Sequence, residues 1–392
     1  MPKKESLFSL KTLLFSFQAA NTILITFLPL YLAKVLGFSG TQIGWVLAVG
    51  PLASIISQPF WGYMSDKYKT VKKMLVICTW GMIVSSVIFF NTETLVAVLV
   101  TAFLFYFFTT PIGGLSDSLA QRRASEIGVS FGSIRTWGSI GFASSALIVG
   151  QVLDRTGIEY ILWPLIIVSI VVLWASHKVK DIKVDSDPIS LKDVSKLFKN
   201  IPFITFLFFL MFITISHRTN DSFIAVYLDK LGAGESLVGT AWFVGLASEA
   251  ILLALSKYWY RKFSPLTFLI IAGAIYAARW YIYGMITDPV YIVPLQVLNG
   301  VTFGIFYLSA FDLTSQLVQK NLHTSGHLAF YTVYFGISGI IGSLMGGKII
   351  DTFNGHVLYT VMGTFALAGT IMLAFYYMLW YRKNDTIDKT TH

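Results

Sequence analysis

Two residues of opposite charge, Asp117 and Arg135, lie in apolar stretches on either side of one polar turn, with Glu126 midway between them. Two antiparallel helices that leave the same turn present both side chains at equal depth, about two turns inside each helix. An isolated charge inside an apolar membrane helix costs roughly 2.5–3.5 kcal/mol or more, so each charge is stabilised by the other. The spacing therefore predicts an ion pair between Asp117 and Arg135.

An arginine in this position can also bind a ligand. Its planar guanidinium forms two parallel hydrogen bonds to a carboxylate or to neighbouring hydroxyl groups, which a lysine cannot match. We therefore expect Asp117 and Arg135 to bind a small polar solute. The alternative is an ion pair that only holds two helices together.

The second half of the chain carries its own ionisable residues. Glu249 lies in an apolar stretch between small residues, with no basic residue within a helical turn. A carboxyl group in this setting marks a proton pathway in many transporters, so Glu249 is the first candidate for proton coupling, with Asp221 and Asp312 behind it. Arg279 is a possible partner for Glu249 or Asp312, and a permanent ion pair is the alternative function of Glu249.

A histidine and an arginine precede Asp221 in the same stretch. His217 lies one helical turn from Asp221, and Arg218 lies three residues from it, so the three side chains can contact each other on one helix face. We expect His217 and Asp221 to take part in proton coupling. The alternative is a locally neutralised patch with no role in transport.

Polar and aromatic residues recur at helical spacing in two further stretches. The side chains expected to line a cavity are Gln18 and Asn21 in the first stretch, and Asn299 and Tyr307 in the tenth. Packing within the protein or against lipid is the alternative for each of them.

The composition identifies the elements that carry these residues. Hydrophobic residues make up 55% of the 392-residue chain, charged residues only 12%, and the mean hydropathy is +0.69. Such a chain lacks the polar residues to cover a water-soluble surface, so we predict an all-α integral membrane protein. The net charge of +9 comes from short basic clusters between apolar stretches, so we do not expect a nucleic acid partner.

A membrane-spanning helix needs about 20 mostly apolar residues. On that criterion we predict twelve spans, at 9–33, 41–61, 74–90, 95–119, 130–152, 160–177, 201–228, 237–257, 265–286, 290–317, 328–348 and 357–380. They form an N-terminal six-helix bundle (1–178), a basic linker (179–200) and a C-terminal six-helix bundle (201–392).

The two bundles are repeats of one pattern. Tyr31 to Lys34 closes the first stretch and Tyr227 to Lys230 closes the seventh, half a chain length later. A pair of glycines that follows an aromatic residue, Gly138 and Gly141, also recurs in the second half. Parallel repeats of this kind are typical of secondary transporters, whose substrate site lies where the repeats meet.

The basic residues predict how the chain crosses the membrane. If the N-terminus is inside, most of the 29 Lys and Arg residues fall in loops on the inner side of the membrane. Four basic residues fall in loops on the outer side: Lys34, Arg155, Lys230 and Lys348. Cationic loops mark the cytoplasm. We therefore predict a multi-pass protein of the cell membrane with both termini in the cytoplasm.

The loop after the second stretch carries a glycine, an acid and lysines at a characteristic spacing: Gly62, Asp66, Lys67, Lys72 and Lys73. It resembles the signature loop of the major facilitator superfamily, although Lys69 stands where that superfamily usually has glycine. A helix N-terminus is weakly positive, so we expect Asp66 to face the N-terminus of a neighbouring helix and to act in gating. The alternative is a basic loop that only sets orientation. The matching loop in the second half, with Arg261 and Lys262, contains no acid.

The resemblance to the superfamily covers the whole chain and implies the major facilitator fold. Around Asp117 and Arg135 the sequence is similar to helices four and five of the branch that contains lactose permease and the phenylpropionate permeases. In lactose permease an acid and an arginine separated in the same way hold the sugar. The resemblance implies that Asp117 and Arg135 bind substrate and that transport is coupled to protons.

We therefore expect a secondary transporter that imports a small polar organic solute, such as a sugar, a nucleoside or an aromatic acid, together with protons, and that works as a monomer. The alternatives are a proton-coupled efflux antiporter and a membrane sensor that does not transport. The fifth stretch lacks the Gly-Pro pair typical of drug antiporters, which favours uptake. The sequence has no nucleotide-binding glycine loop, no metal-ligand cluster and no nucleophile with a base at workable spacing, so we expect neither an enzyme nor a cofactor or metal.

Overall fold

The computed structural model describes residues 7–181, 197, 199–260, 263–319 and 322–378, apart from the side chains of Lys257 and Thr324. Over these residues, eleven helices are long and apolar enough to cross a membrane, and a bent pair of shorter helices raises the number to twelve. The prediction of an all-α membrane fold with twelve spans is therefore confirmed. In chain order they are α1 Phe8–Lys34, α2 Gly40–Lys67, α3 Val71–Phe90, α4 Leu95–Ile127, α5 Phe131–Thr156, α6 Ile158–Lys178, α7 Ile201–Lys230, α8 Glu235–Ala254, α9 Pro265–Tyr283, α10 (Pro289–Leu295 with Gly300–Leu317), α11 Ser325–Thr352 and α12 Gly355–Tyr376.

Two helices run well beyond the apolar stretches from which they were predicted. We placed the end of α2 at residue 61 and that of α4 at residue 119, but the helices end at Lys67 and Ile127. Apolar residues mark the part of a helix inside the bilayer, whereas the helix itself continues until its backbone is capped. For α4 that cap is Gly128, which adopts the left-handed conformation at φ 70°.

The tenth span is broken, although we predicted it as one helix. Its two segments meet at an angle of 40°, and a π-helical turn, Gly300–Ile305, begins at the break. α8 approaches closely here, because a Cβ atom at Gly300 would lie 2.6 Å from the carbonyl oxygen of Ser248. π-helical turns bend helices and are frequent at functional sites.

In the first half, the repeated glycine pattern holds α5 against α1. A Cβ atom at Gly141 would lie only 2.1 Å from the carbonyl oxygen of Phe15, so no larger residue fits there without displacing a backbone. The Ser145 hydroxyl donates a hydrogen bond to the carbonyl oxygen of Ala19 at 2.9 Å, one turn further along both helices. This contact fixes the position of the middle of α5 relative to α1.

A close contact of the same kind, with a glycine and a hydroxyl-to-carbonyl hydrogen bond, recurs between α7 and α11. The Thr219 hydroxyl donates to the carbonyl oxygen of Gly342 at 3.2 Å, and a Cβ atom at Gly342 would lie 3.0 Å from the backbone nitrogen of Thr219. One turn earlier on both helices, the hydroxyls of Thr214 and Ser338 are 2.7 Å apart. The sequence repeat therefore corresponds to a repeated helix pair.

The chain forms two compact units. Unit 1 contains Met1–Asp187 and Phe223–Phe243, and unit 2 contains Pro188–Ser222 and Val244–His392. The end of α7 and the start of α8 thus group with the first six helices, where Lys34 Nζ lies 2.8 Å from Glu235 Oε1 and 3.3 Å from Asp229 Oδ1. The bundle boundaries at 178 and 201 stay a prediction. Most of the predicted linker, 182–196 and 198, lies outside the described residues.

Candidate functional site

In unit 1, Asp117 of α4 and Arg135 of α5 form an ion pair. The Nε atom of Arg135 lies 3.2 Å from Oδ1 of Asp117, and the two side chains are 35% and 39% exposed. The structure thus brings together the two residues that the spacing pairs. Their exposure leaves both accessible to a solute.

The depths predicted for these two residues are wrong in detail. Because α4 continues to Ile127, Asp117 lies nearly three turns from its end, whereas Arg135 lies about one turn from the start of α5 at Phe131. The contact is made by the Nε atom of Arg135, and the two residues are not placed symmetrically about Glu126 in their helices.

A third side chain, Gln18 of α1, faces the guanidinium. With its amide oxygen turned towards Arg135, Gln18 accepts hydrogen bonds from Nη1 and Nη2, each at 3.1 Å. The amide nitrogen of Asn21 lies 3.4 Å from the other end of the Gln18 amide. The structure therefore places Gln18 and Asn21 of α1 beside the Asp117–Arg135 pair; we refer to these four residues as the arginine site.

Gly138 creates the space for the guanidinium. A Cβ atom at this position would lie 2.6 Å from Nη1 of Arg135 and 3.1 Å from Cγ of Gln18. From the sequence we did not predict this role for Gly138. Its position three residues after Arg135, on the same helix face, was the available signal.

In unit 2, Asp221 of α7 contacts both basic residues that precede it. Nη1 of Arg218 donates to Oδ2 of Asp221 at 2.7 Å, and Nε2 of His217 lies 3.5 Å from the same oxygen. The Tyr276 hydroxyl hydrogen-bonds to Nδ1 of His217 at 2.9 Å. The local contacts proposed from the spacing are present, and Tyr276 of α9 is a further partner that sequence reasoning missed.

Arg279 of α9 is not the partner of an acid. Among the described contacts, its guanidinium forms no ion pair with Glu249 or Asp312, contrary to the partnership we suggested. Neutral acceptors hold it instead, and Trp280 lies under its guanidinium with the ring centre 4.8 Å away. The acceptors are Tyr283 at 3.2 Å, Asn299 and Thr302 at 3.1 Å, and Gln296 at 2.5 Å.

The break in α10 explains this arrangement. Gln296 lies in the break, Asn299 directly precedes the π-helical turn and Thr302 is inside it, so the bend brings three polar side chains onto one guanidinium. The side-chain oxygen of Asn299 accepts a hydrogen bond from Arg279, and its role as a cavity-lining residue stays a prediction. Arg279 itself is only 1% exposed.

The two remaining acids differ in their surroundings. Asp312 accepts a hydrogen bond from the Tyr260 hydroxyl at 2.8 Å. Glu249 is half-buried and has no hydrogen bond or ion pair among the described contacts, and its carboxyl group is close enough to that of Asp221 for the two to interact electrostatically. The permanent ion pair with Arg279 that we considered for Glu249 is therefore absent from the described part of the chain.

Aromatic rings form a column beside these charges. His217 stacks on Phe303 with ring centres 5.1 Å apart, and Phe303 stacks on Tyr307 at 5.4 Å. The Tyr307 hydroxyl donates to that of Tyr331 at 3.0 Å. Tyr307 was predicted as a lining residue, whereas Tyr331 of α11 was missed.

The segment resembling the signature loop is mostly helical. Gly62, Asp66 and Lys67 belong to the last turns of α2, and Lys72 and Lys73 belong to the first turn of α3, so only residues 68–70 form the connection. The expected contact of Asp66 with the N-terminus of a neighbouring helix is absent from the described contacts. In the second half, Arg261 and Lys262 lie outside the described residues.

The acid at the N-terminus of α3 is Asp181, which follows α6. Its Oδ1 accepts hydrogen bonds from the backbone nitrogens of Val71 and Lys72 at 3.1 Å, and its Oδ2 binds the Thr70 hydroxyl. Sequence reasoning assigned Asp181 to the linker and gave it no role. Lys69, at φ 52°, is the one non-glycine residue with positive φ in the described ranges.

Comparisons with known proteins agree with this architecture. The model of the MFS_1 like family matches residues 7–361. The uncharacterized transporter YwbF of Bacillus subtilis is 26% identical over 91% of this chain and 89% of its own length. The maltose permease of Geobacillus stearothermophilus is 24% identical, with 89% of each chain covered.

The fold is similar to that of the nucleoside transporter NupG, whose crystal structure superposes with a TM-score of 0.84 at 18% identity. That comparison covers 94% of this chain and 98% of the other. These relatives are transporters and not enzymes. Because the family model covers most of the sequence, this multi-pass membrane protein belongs to the MFS_1 like family and is a transporter of the major facilitator superfamily.

Proposed function

We propose that this protein imports a small polar organic solute together with protons, and that the arginine site in unit 1 binds the solute. The half-exposed Asp117–Arg135 pair with Gln18 against the guanidinium carries this proposal. About a third or more of each side chain is exposed, so a solute can reach both charged groups, which a pair that only joins two helices does not require.

The donors and acceptors of the arginine site suit a solute with hydroxyl groups or a carboxylate. Arg135 supplies donors, Asp117 supplies acceptors, and the amides of Gln18 and Asn21 supply both. A solute that displaces Gln18 from the guanidinium can take over two hydrogen bonds. Sugars, nucleosides and aromatic acids all meet this requirement, and the names of relatives include a maltose permease, a putative nucleoside transporter and a probable 3-phenylpropionic acid transporter.

We assign proton coupling to the ionisable residues of unit 2, with Glu249 first and Asp221, His217 and Asp312 behind it. Glu249 supports this role because no described side chain neutralises it and a second carboxylate, Asp221, is near. When Glu249 and Asp221 are both ionised, their charges balance those of Arg218 and Arg279. When Glu249 is protonated, these four residues carry one excess positive charge. Protonation of Glu249 therefore changes the electrostatic potential at the other three.

Arg279 has a different role in this proposal. Its neutral acceptors and its burial fix a positive charge at the bend of α10. That charge stays constant while Glu249 or Asp221 exchanges a proton. We therefore propose that Arg279 stays protonated throughout transport and does not itself exchange protons.

The direction of transport and the topology belong to the same proposal. We propose uptake, with both termini in the cytoplasm and a functional monomer. The absence of proline from α5 (Phe131–Thr156) supports uptake, because drug antiporters of this superfamily typically carry a Gly-Pro pair there. An efflux antiporter would lower the solute content of cells that produce it, and a sensor would leave that content unchanged.

The test begins with a thermal-shift screen of sugars, nucleosides and aromatic acids on the purified protein and on Arg135→Ala. A solute of the arginine site should raise the unfolding temperature of the wild type and not that of the variant. Counterflow of that labelled solute in proteoliposomes then separates a transporter from a sensor. Binding without counterflow would contradict the proposal, as would equal shifts in both proteins.

A further inference from the structure

A small pocket lies in unit 1 where α1, α4 and α6 meet. Its volume is about 200 Å³. By helical rise it lies about 12 Å along α1 from Gln18, so it is separate from the arginine site. The lining residues are Leu7, Ser9 and Leu10 at the start of α1, Leu119 and Arg123 of α4, and Lys178, Val179 and Lys180 at the end of α6.

The charged residues that line this pocket are basic. They are Arg123, Lys178 and Lys180, and no acid belongs to the described lining. The backbone adds to this field: α1 begins at the pocket, its first turn contains no acid, and its N-cap residue Leu7 provides no side-chain cap. A helix N-terminus favours anions. Arg123 also pairs with Glu126, which is not part of the lining.

The floor of the pocket is apolar, with Leu10, Leu119 and Val179 all buried. Beside it lies an exposed aromatic pair: Phe8 is 65% exposed, Trp174 is 44% exposed, and their rings meet edge to face at 6.3 Å. Phe8 lies between two lining residues of α1, and Trp174 lies one helical turn before Lys178. Aromatic rings at the end of a membrane span mark the headgroup level of the bilayer.

We propose that this pocket binds the phosphate of an anionic phospholipid. Lys178 and Lys180 hold the phosphate together with Arg123, and Phe8 and Trp174 contact the glycerol and the first part of the acyl chains. Basic pockets between membrane helices recognise lipid headgroups through these same contacts. A bound lipid would connect the ends of α1, α4 and α6 and so stabilise unit 1.

Thermal unfolding of the purified full-length protein in detergent tests this proposal. Phosphatidylglycerol, phosphatidylcholine and inorganic phosphate are each titrated into the wild type and into the double variant Lys178→Gln/Lys180→Gln. A basic residue near an anionic surface contributes roughly a fivefold factor in affinity, so the double variant should bind phosphatidylglycerol about thirtyfold more weakly. In the wild type, phosphatidylglycerol should raise the unfolding temperature more than phosphatidylcholine does.

The matched control is Lys230→Gln/Lys348→Gln, which removes two lysines from the predicted opposite side of the membrane. It should keep the phosphatidylglycerol effect in full. Equal effects of the two lipids on the wild type would overturn the proposal, and so would an undiminished effect in Lys178→Gln/Lys180→Gln. A shift by inorganic phosphate as large as that by phosphatidylglycerol, and lost in the same variant, would overturn the lipid assignment in favour of a soluble anion.

Discussion

A Cβ atom on Gly138 would lie 2.6 Å from Nη1 of Arg135, so the arginine occupies space that only a glycine leaves open. The two residues are three positions apart on α5. The same helix therefore supplies both the charged group and the room for it. Asp117 and Gln18 complete the site from α4 and α1.

Gly138→Ala should reduce transport strongly without loss of expression. The added methyl group moves the guanidinium away from Asp117 and Gln18, and misplacement of a binding group by about 1 Å can cost roughly a hundredfold in rate. Uptake by cells that produce equal amounts of protein measures the effect. Gly132→Ala is the control, because its Cβ atom would meet only the Ser130 hydroxyl, at 3.4 Å. Wild-type uptake by Gly138→Ala would contradict the role of this glycine.

Glu249→Gln should separate exchange from accumulation. The substitution keeps the size of the side chain but removes the titratable proton, so the variant should still exchange internal for external solute while it no longer concentrates solute in response to a pH gradient. Proteoliposomes with and without a pH gradient provide both measurements. Asp312→Asn serves as the comparison, since Asp312 is already hydrogen-bonded to Tyr260. Full accumulation by Glu249→Gln would rule out this acid as the coupling group.

Asp66 and Asp181 should respond differently to loss of the carboxylate. Asp181 accepts three hydrogen bonds at the start of α3, so Asp181→Ala should lower the stability by about 0.5–2 kcal/mol, as the loss of a helix cap does. Asp66 has no such contact among the described residues, so Asp66→Asn should leave the unfolding temperature unchanged and slow transport. Unfolding curves and initial uptake rates distinguish the two. Unchanged uptake by Asp66→Asn would remove the case for a gating role.

Lys69→Gly should stabilise the connection between α2 and α3. A non-glycine residue in the left-handed region costs roughly 1–2 kcal/mol, and part of that gain is lost because glycine increases the entropy of the unfolded chain. We expect a net gain of up to about 1 kcal/mol in thermal unfolding experiments. Lys72→Gly, in the first turn of α3, should instead destabilise the protein. A loss of stability in both variants would show that Lys69 is not strained.

The sequence predicted the fold well because membrane helices must be long and apolar, and that requirement is visible in any window of about 20 residues. The ends of α2 and α4 escaped this criterion, since Asp66 and Arg123 are polar residues on helices that extend past their apolar parts. The broken α10 escaped it for a different reason. Its bend depends on the approach of α8 at Ser248 and Gly300, a tertiary contact that leaves no periodic pattern.

For the candidate site, the sequence identified the pair Asp117–Arg135 because unpaired charges in apolar helices are rare and must find partners. It did not identify the partners of Arg279. A guanidinium can be satisfied by several neutral acceptors, and Gln296 and Thr302 resemble ordinary polar residues of a helix. Charge alone suggested Glu249 or Asp312, and the geometry of α10 decided otherwise.

The most direct test of the solute-binding role of the arginine site compares the conservative variant Arg135→Lys with the wild type in counterflow of the solute identified by thermal shift. Lysine keeps the charge near Asp117 but cannot form the paired hydrogen bonds of a guanidinium. We predict a decrease of about tenfold to a hundredfold in counterflow, with expression and unfolding temperature retained, because charge-assisted hydrogen bonds contribute roughly 1.5–3 kcal/mol. Counterflow by Arg135→Lys close to the wild-type rate would contradict substrate binding and leave the Asp117–Arg135 pair as a structural contact.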